Sequence, residues 1–104
     1  MISMVIISQK AIHEFATKNP LSADPLNRWS KIASQANWRN FLEVKESFNA
    51  TDYLGNDRYI FDIGGNKYRL VAMIHFDIRT LYIRFIGTHA QYNELNKKNL
   101  LMKI

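Results

Sequence analysis

Seven side chains in the second half of this sequence are of types that could do chemistry on an anion: the cations Arg58, Lys67, Arg69 and Arg84, the ring of Tyr82, and the pair His89 and Tyr92. Arginine offers a planar, permanently charged fork of donors that suits phosphate, whereas lysine is a mobile point charge whose pKa falls beside other cations. Histidine is the side chain best placed to exchange a proton near neutral pH, with tyrosine a weaker candidate for the same work. Tyr82 supplies a face on which a base can stack. Plainer readings stand beside these: arginines on a solvated strand face, a surface histidine in the first turn of a helix, and a tyrosine packed on a sheet. His13 and His75 have neither histidine nor carboxylate neighbours at metal-ligand spacing, so no metal site and no cofactor are expected.

The elements that must position these residues are an α+β set, with helices first and strands afterwards. Met4 to Ile7 is a short β-prone run. Ser8 reads as the cap of a helix over Gln9 to Lys18, with Ala11, Ile12, Phe15 and Ala16 on its apolar face, and Asn19-Pro20 stops it. Asp24 reads as the cap of a second helix with Pro25 at its first position, and Leu26, Trp29, Ile32, Ala33 and Ala36 form its apolar stripe. Asn40 with Glu43 opens a short third helix ending near Phe48. From Asp52 the period becomes alternating. Strands are expected over Arg58–Ile63, Asn66–Phe76 and Leu81–Gly87, with Tyr53-Leu54 as a further short strand. Thr88 with Gln91 is a capping-box pattern that starts a final helix at His89.

If Gly64-Gly65 is a two-residue hairpin turn, Asp62 lies opposite Lys67 and Ile60 opposite Arg69. With a second turn at Asp77-Ile78, Val71 lies opposite Arg84 and Met73 opposite Tyr82. One face then holds Tyr59, Phe61, Ile63, Tyr68, Leu70, Ala72, Ile74, Leu81, Ile83 and Phe85, and is the expected core under the helices. The other gathers Arg58, Lys67, Arg69, Tyr82 and Arg84 with Ile60, Asp62, Val71, Met73 and Ile86. No acid is expected beside Arg58, Arg69 or Arg84. This physical basis for an anion site disappears if Arg69 and Arg84 point to opposite sides or are held in ion pairs. Trp38 and Trp29 could also stack on bases, but for this pair a place in the core is the stronger reading, Trp29 lying on the apolar stripe of its helix.

Composition sets the bounds. The 104 residues hold 14 Lys+Arg against 9 Asp+Glu and no cysteine, with 47% hydrophobic residues. Residues 1–52 carry six bases and five acids, and residues 53–104 eight and four. A single domain over 1–104 is expected, with an anionic partner for its second half. The lack of cysteine excludes disulfides, thiolate nucleophiles and Cys-ligated zinc, and is compatible with a reducing cytoplasm. No apolar run approaches the about 20 residues of a membrane span, and no secretory signal is evident.

The stretch Asp-Arg-Tyr-Ile-Phe-Asp-Ile-Gly-Gly-Asn-Lys-Tyr-Arg-Leu-Val-Ala-Met-Ile at 57–74, followed by Ile-Arg-Phe-Ile-Gly-Thr-His-Ala-Gln-Tyr at 83–92, resembles the HigB-type toxins of bacterial type II toxin–antitoxin systems. These belong to the RelE-like group of mRNA interferases. Ile-Ser-Gln-Lys-Ala-Ile-His-Glu-Phe at 7–15 and the region Trp38 to Phe41 match as well. The resemblance implies helices packed on one face of a small antiparallel sheet. The other face would bind mRNA in the ribosomal A site and cut it, without metal, by attack of a ribose 2′-hydroxyl on the adjacent phosphate. It further implies that Arg69 and Arg84 contact phosphate, and that Lys67, His89 and Tyr92 form the proton-transfer and positioning group. Lys67 or His89 would be the base and His89 or Tyr92 the acid. The implied partner is a small helix-turn-helix antitoxin of the HigA type. Two other functions fit the same basic face: a non-catalytic RNA- or ribosome-binding module, and a structural domain docking an acidic protein.

Overall fold

In the computed structural model, which describes residues 3–104, the chain runs β1 (Val5–Ile7), α1 (Gln9–Lys18), α2 (Ala23–Gln35), α3 (Phe41–Ser47), β2 (Thr51–Gly55), β3 (Arg58–Ile63), β4 (Tyr68–His75), β5 (Thr80–Thr88) and α4 (His89–Lys97). The helices begin where their caps place them. The Ser8 hydroxyl accepts from the Lys10 N–H at 3.2 Å and the Asn40 side chain from the Glu43 N–H at 3.1 Å. At Thr88 and Gln91 both halves of the capping box form, at 3.1 and 2.8 Å. Helix α2 departs from expectation by starting at Ala23 after a short 3-10 turn over Pro20–Ser22, and Ser22 at its N-cap position makes no side-chain capping bond, its hydroxyl donating instead to the Asn19 main-chain oxygen at 2.6 Å. Asp24 and Pro25 therefore lie inside its first turn, where a carboxylate favours the dipole and a missing N–H has no partner to lose.

The sheet order is β1-β5-β4-β3-β2. The α+β class stands, and the sheet is larger than the sequence suggested. The opening run joins it as β1, parallel to β5 over Thr80–Tyr82, so an otherwise antiparallel sheet becomes mixed. Helices α1 to α3 cover one face. Ile12, Leu26, Trp29, Ala33, Trp38 and Val44 from the helical half meet Phe61, Leu70, Ala72, Ile74 and Leu81 from the strands in one buried cluster. Phe61 is at its centre, with ring centroids 5.3 Å from Trp29, 5.5 Å from Phe48 and 6.5 Å from Trp38. Both tryptophans are core, so Trp38 is no stacking surface; its indole N–H donates to the Ser47 hydroxyl at 3.0 Å.

Two register details differ from the alternation pattern. The β3–β4 connection has four residues, 64–67, so Asp62 lies opposite Arg69 and Ile60 opposite Val71. This shift of two residues leaves every side chain on its expected face but changes its neighbour. In β5, Ala72 pairs with Ile83 and Val71 with Phe85, so Arg84 is the extra residue of a β-bulge. Beyond the bulge the faces swap. Ile86 packs against the helix-side cluster, and Phe85, expected in that core, goes to the opposite face with Gly87.

That opposite face is not the open, wet surface expected from the charges. Arg58, Ile60, Arg69 and Val71 are all buried. Ile60 and Val71 are a directly paired couple outside the helix-side cluster, and among the described residues the third buried apolar side chain outside it is Leu101. Arg58 donates through Nη2 and Nε to the main-chain oxygen of Ile104 at 2.6 and 3.2 Å. Helix α4 and the tail behind it thus lie over this face. The reason is compositional: Ile60, Val71 and Leu54 among the cations leave apolar area that must be covered.

Candidate active site

The positions on the covered face follow from the ladder as rows across the sheet. Asp62, Arg69 and Gly87 form one row, Asp52, Ile60, Val71 and Phe85 the next, and Arg58, Met73, Tyr82 and Ile7 the third. The first row ends at the 64–67 loop and at the start of α4, and this is where expected site residues meet. The His89 N–H donates to the Lys67 main-chain oxygen at 3.1 Å, which ties the first residue of α4 to the last residue of the loop. Lys67 and His89 are exposed, and neither is in an ion pair among the described residues. Tyr92, one turn further along α4, is half-buried.

Electrostatics at this corner are set by a pair that the expected register concealed. Arg69, 8% exposed, has its Nε 3.2 Å from Asp62 Oδ1. An acid therefore stands beside the arginine that was expected to have none, so uncompensated charge no longer supports an anion site at Arg69 and does so only at Lys67 and Arg84, which have no ion pair among the described residues. Burial pushes the Tyr92 phenol above its usual pKa; Arg69 pulls the other way, while Asp52 and Asp62 add to the rise. A phenol shifted upward keeps its proton at neutral pH, so Tyr92 can donate a hydrogen bond or a proton and is unsuited to be the base.

The remaining expected residues lie elsewhere. Arg84, the bulged residue, is exposed at the part of β5 that β1 does not reach, beside a cleft of about 310 Å³ shared with Ala11, Glu14, Phe15 and Lys18. The expected diagonal relation, with Arg84 two residues along β5 from the partner of Arg69, becomes one of three residues. The bulge makes the difference, because Arg69 faces Gly87 and no residue faces Arg84. Arg58 is held under the tail, with its Nη1 donating to the Asn56 main-chain oxygen at 2.9 Å, so that each of its three nitrogens donates to main chain. Tyr82 is partly exposed two rows from Arg69, with its ring edge-on to His75 at 5.5 Å. His75 itself has its Nε2 3.8 Å from Asp57 Oδ2. His13 is exposed on α1, and no group of three or more His, Asp or Glu placed to hold a metal occurs among the described residues.

Three residues at this corner were missed by the sequence reading. Asp62 had been matched with Lys67, Asn66 had been counted as strand, and Gly87 as the strand's end. Their signals are geometric: Asp62 lies opposite Arg69, Asn66 turns back on it, and Gly87 leaves the position across from it empty. A Cβ on Gly87 would overlap Phe85 Cζ and come within 2.8 Å of Gln91 Oε1, the acceptor for the Thr88 N–H. Gly87→Ala is therefore expected to lower stability by about 1–3 kcal/mol. Urea unfolding measures the loss.

The chain as a whole is similar to known proteins. Residues 22–95 match the family described as HigB_toxin, RelE-like toxic component of a toxin-antitoxin system. The "mRNA interferase toxin HigB" of Escherichia coli (strain K12) is 32% identical over 93 residues, covering 86% of this chain and 88% of that one. The "mRNA interferase HigB" of Shigella flexneri matches with the same identity and coverage. That of Escherichia coli O6:H1 (strain CFT073) is 29% identical over 96 residues, covering 90% and 93%.

Proposed function

Because the chain belongs to the HigB family of RelE-like toxins, the toxic components of toxin–antitoxin systems, we propose that it is an endoribonuclease that cuts translated mRNA in the ribosomal A site. A ribose 2′-oxygen attacks the adjacent phosphorus, the bond to the 5′-oxygen breaks, and a 2′,3′-cyclic phosphate and a 5′-hydroxyl result, without a metal. The reaction needs a base for the 2′-proton, positive charge for the phosphoryl oxygens and an acid for the departing oxygen. One observation supports this assignment above the others: the main chains of Lys67 and His89 are bonded where the 64–67 loop meets the start of α4, and Arg69 is near enough to Tyr92 to act on its phenol.

Tyr92, held protonated, serves as the acid. Lys67 or His89 takes the 2′-proton, and Arg69 with the helix N-terminus faces the phosphate. Arg84 meets a neighbouring phosphate along the edge of β5, and Tyr82 offers a stacking surface to a flanking base. Arg58 enters only through the tail that it holds. The protein acts in the cytoplasm, where translating ribosomes are, and is neutralised by a helix-turn-helix antitoxin of the HigA type.

Primer extension on mRNA under translation tests this reading. Cuts at defined codon positions are expected, and a Tyr92→Phe variant should cut about 100-fold more slowly or worse, within the usual range for a lost general acid. A raised phenol pKa carries the protonated form to higher pH, so no loss of rate from Tyr92 is expected below about pH 10. The other reading, a non-catalytic RNA-binding module, uses the same exposed cations Lys67 and Arg84 and needs neither acid nor base. Bound mRNA with no cuts at all would decide for that module.

A further inference from the structure

The guanidinium of Arg69 is nearly fully engaged within the protein. Of the five N–H groups of an arginine, its Nε–H faces Asp62 Oδ1 at 3.2 Å, and Nη1 donates to the main-chain oxygens of Asn66 and Tyr68, both at 3.3 Å. Nη2 donates to Asn66 Oδ1 at 2.5 Å. Three hydrogen bonds, with Nε set against the Asp62 carboxylate as an ion pair, leave one N–H, on Nη2, with neither kind of partner. A side chain held this way cannot swing out to grip a phosphate with a two-pronged fork. It can present a single hydrogen bond from a fixed place.

We propose that Asn66 and Asp62 are positioning residues of the cleavage reaction, which orient Arg69 so that its one remaining N–H meets the phosphoryl oxygen as charge builds on it. This rests on the reading of Arg69 as the phosphate-facing group. Asn66 is exposed in the four-residue loop, and the left-handed turn there is made by Gly64 and Gly65, with φ of +62° and +70°. The loop's course therefore does not depend on the Asn66 side chain, whose hydrogen bond goes to Arg69. Asn66 also immediately precedes Lys67, whose main-chain oxygen receives the first N–H of α4. One loop residue thus links the cation, the lysine and the helix start. Asp62 acts from directly across the ladder. Its carboxylate fixes the Nε edge while lowering the net positive charge that RNA meets in the ground state. A donor fixed in advance needs no reorganisation when the transition state forms, and this is where such a group is most effective.

The test is single-turnover cleavage of mRNA on programmed ribosomes by Asn66→Ala, Asn66→Asp and Asp62→Asn. Asn66→Ala should lower the maximal rate constant about 10–100-fold while the half-saturating concentration changes less than about threefold. Asn66→Asp keeps an oxygen for Nη2 and should stay within about fivefold of wild type. Asp62→Asn should split the two parameters, with tighter binding and a slower step. Side-chain NMR of Arg69 gives a readout independent of turnover. Resolved Nη signals, from hindered rotation, are expected in wild type and Asn66→Asp, and averaged signals in Asn66→Ala. Wild-type rates in Asn66→Ala, or an Asn66→Asp variant as slow as Asn66→Ala, overturn the proposal while the enzymatic reading stands. A wild-type protein that cuts no RNA under translation removes both together.

Discussion

Arg69→Ala is expected to reduce RNA cleavage at least about 100-fold, as for loss of a preorganised charge-stabilising donor, and to weaken the fold as well. The substitution strands the Asp62 carboxylate and removes the donors that meet Asn66 and Tyr68. Breaking a fully buried ion pair costs about 3–5 kcal/mol, and the 33% exposure of the Asp62 side chain lets water recover part of this, so about 2 kcal/mol is expected. Arg84→Ala should behave differently. Arg84 is exposed at a bulge and has no ion pair among the described residues, so its loss should change stability by less than about 0.5 kcal/mol. Cleavage should survive within about tenfold, with the salt dependence of RNA binding shallower by about one phosphate contact. Urea titrations together with cleavage at several salt concentrations separate the two cases. If Arg84→Ala is the inactive variant and Arg69→Ala the active one, the corner between the 64–67 loop and α4 is not the cutting site.

Deletion of Leu101 to Ile104 is expected to lower the unfolding free energy by about 3–5 kcal/mol. Burial of a leucine contributes about 1.5–3 kcal/mol, and a hydrogen bond to a charged group about 1.5–3 kcal/mol more. Both go at once, because Leu101 is 7% exposed and Arg58 donates to the Ile104 oxygen. Denaturant unfolding measures the loss directly. A shortened chain as stable as the full one would show that the tail does not hold this face closed.

Much of the fold was legible because local chemistry sets it. Ser8, Asn40 and Thr88 with Gln91 cap helices where a side-chain acceptor precedes an apolar period, and Arg58–Ile63 is the strand that the alternation marks. The division of β3 and β4 into two faces was legible too, since Tyr59, Phe61, Leu70, Ala72 and Ile74 can sit only under the helices. Alternation has period two, however, and is blind to a shift of two residues. Nothing in it distinguishes a two-residue turn at Gly64-Gly65 from the four-residue loop observed. The partner of Asp62 therefore changed from Lys67 to Arg69 without any side chain changing face. The bulge at Arg84 is invisible for a related reason: Leu81, Ile83 and Phe85 alternate without a break, and only the seating of Ile86 among the helices shows that the strand has gained a residue.

By itself, the sequence determined the elements, the core face, the basic second half and the family likeness at 57–74 and 83–92, since each rests on residue type and short-range spacing. Only the tertiary structure decided which cation has a counter-charge, which stands alone, and that α4 and the tail close the face that had been expected to be wet. Those outcomes depend on pairings between distant segments. The free energy of a charge is set by what lies within a few ångströms of it, and in this chain that neighbour is tens of residues away for Arg58 and on the facing strand for Arg69.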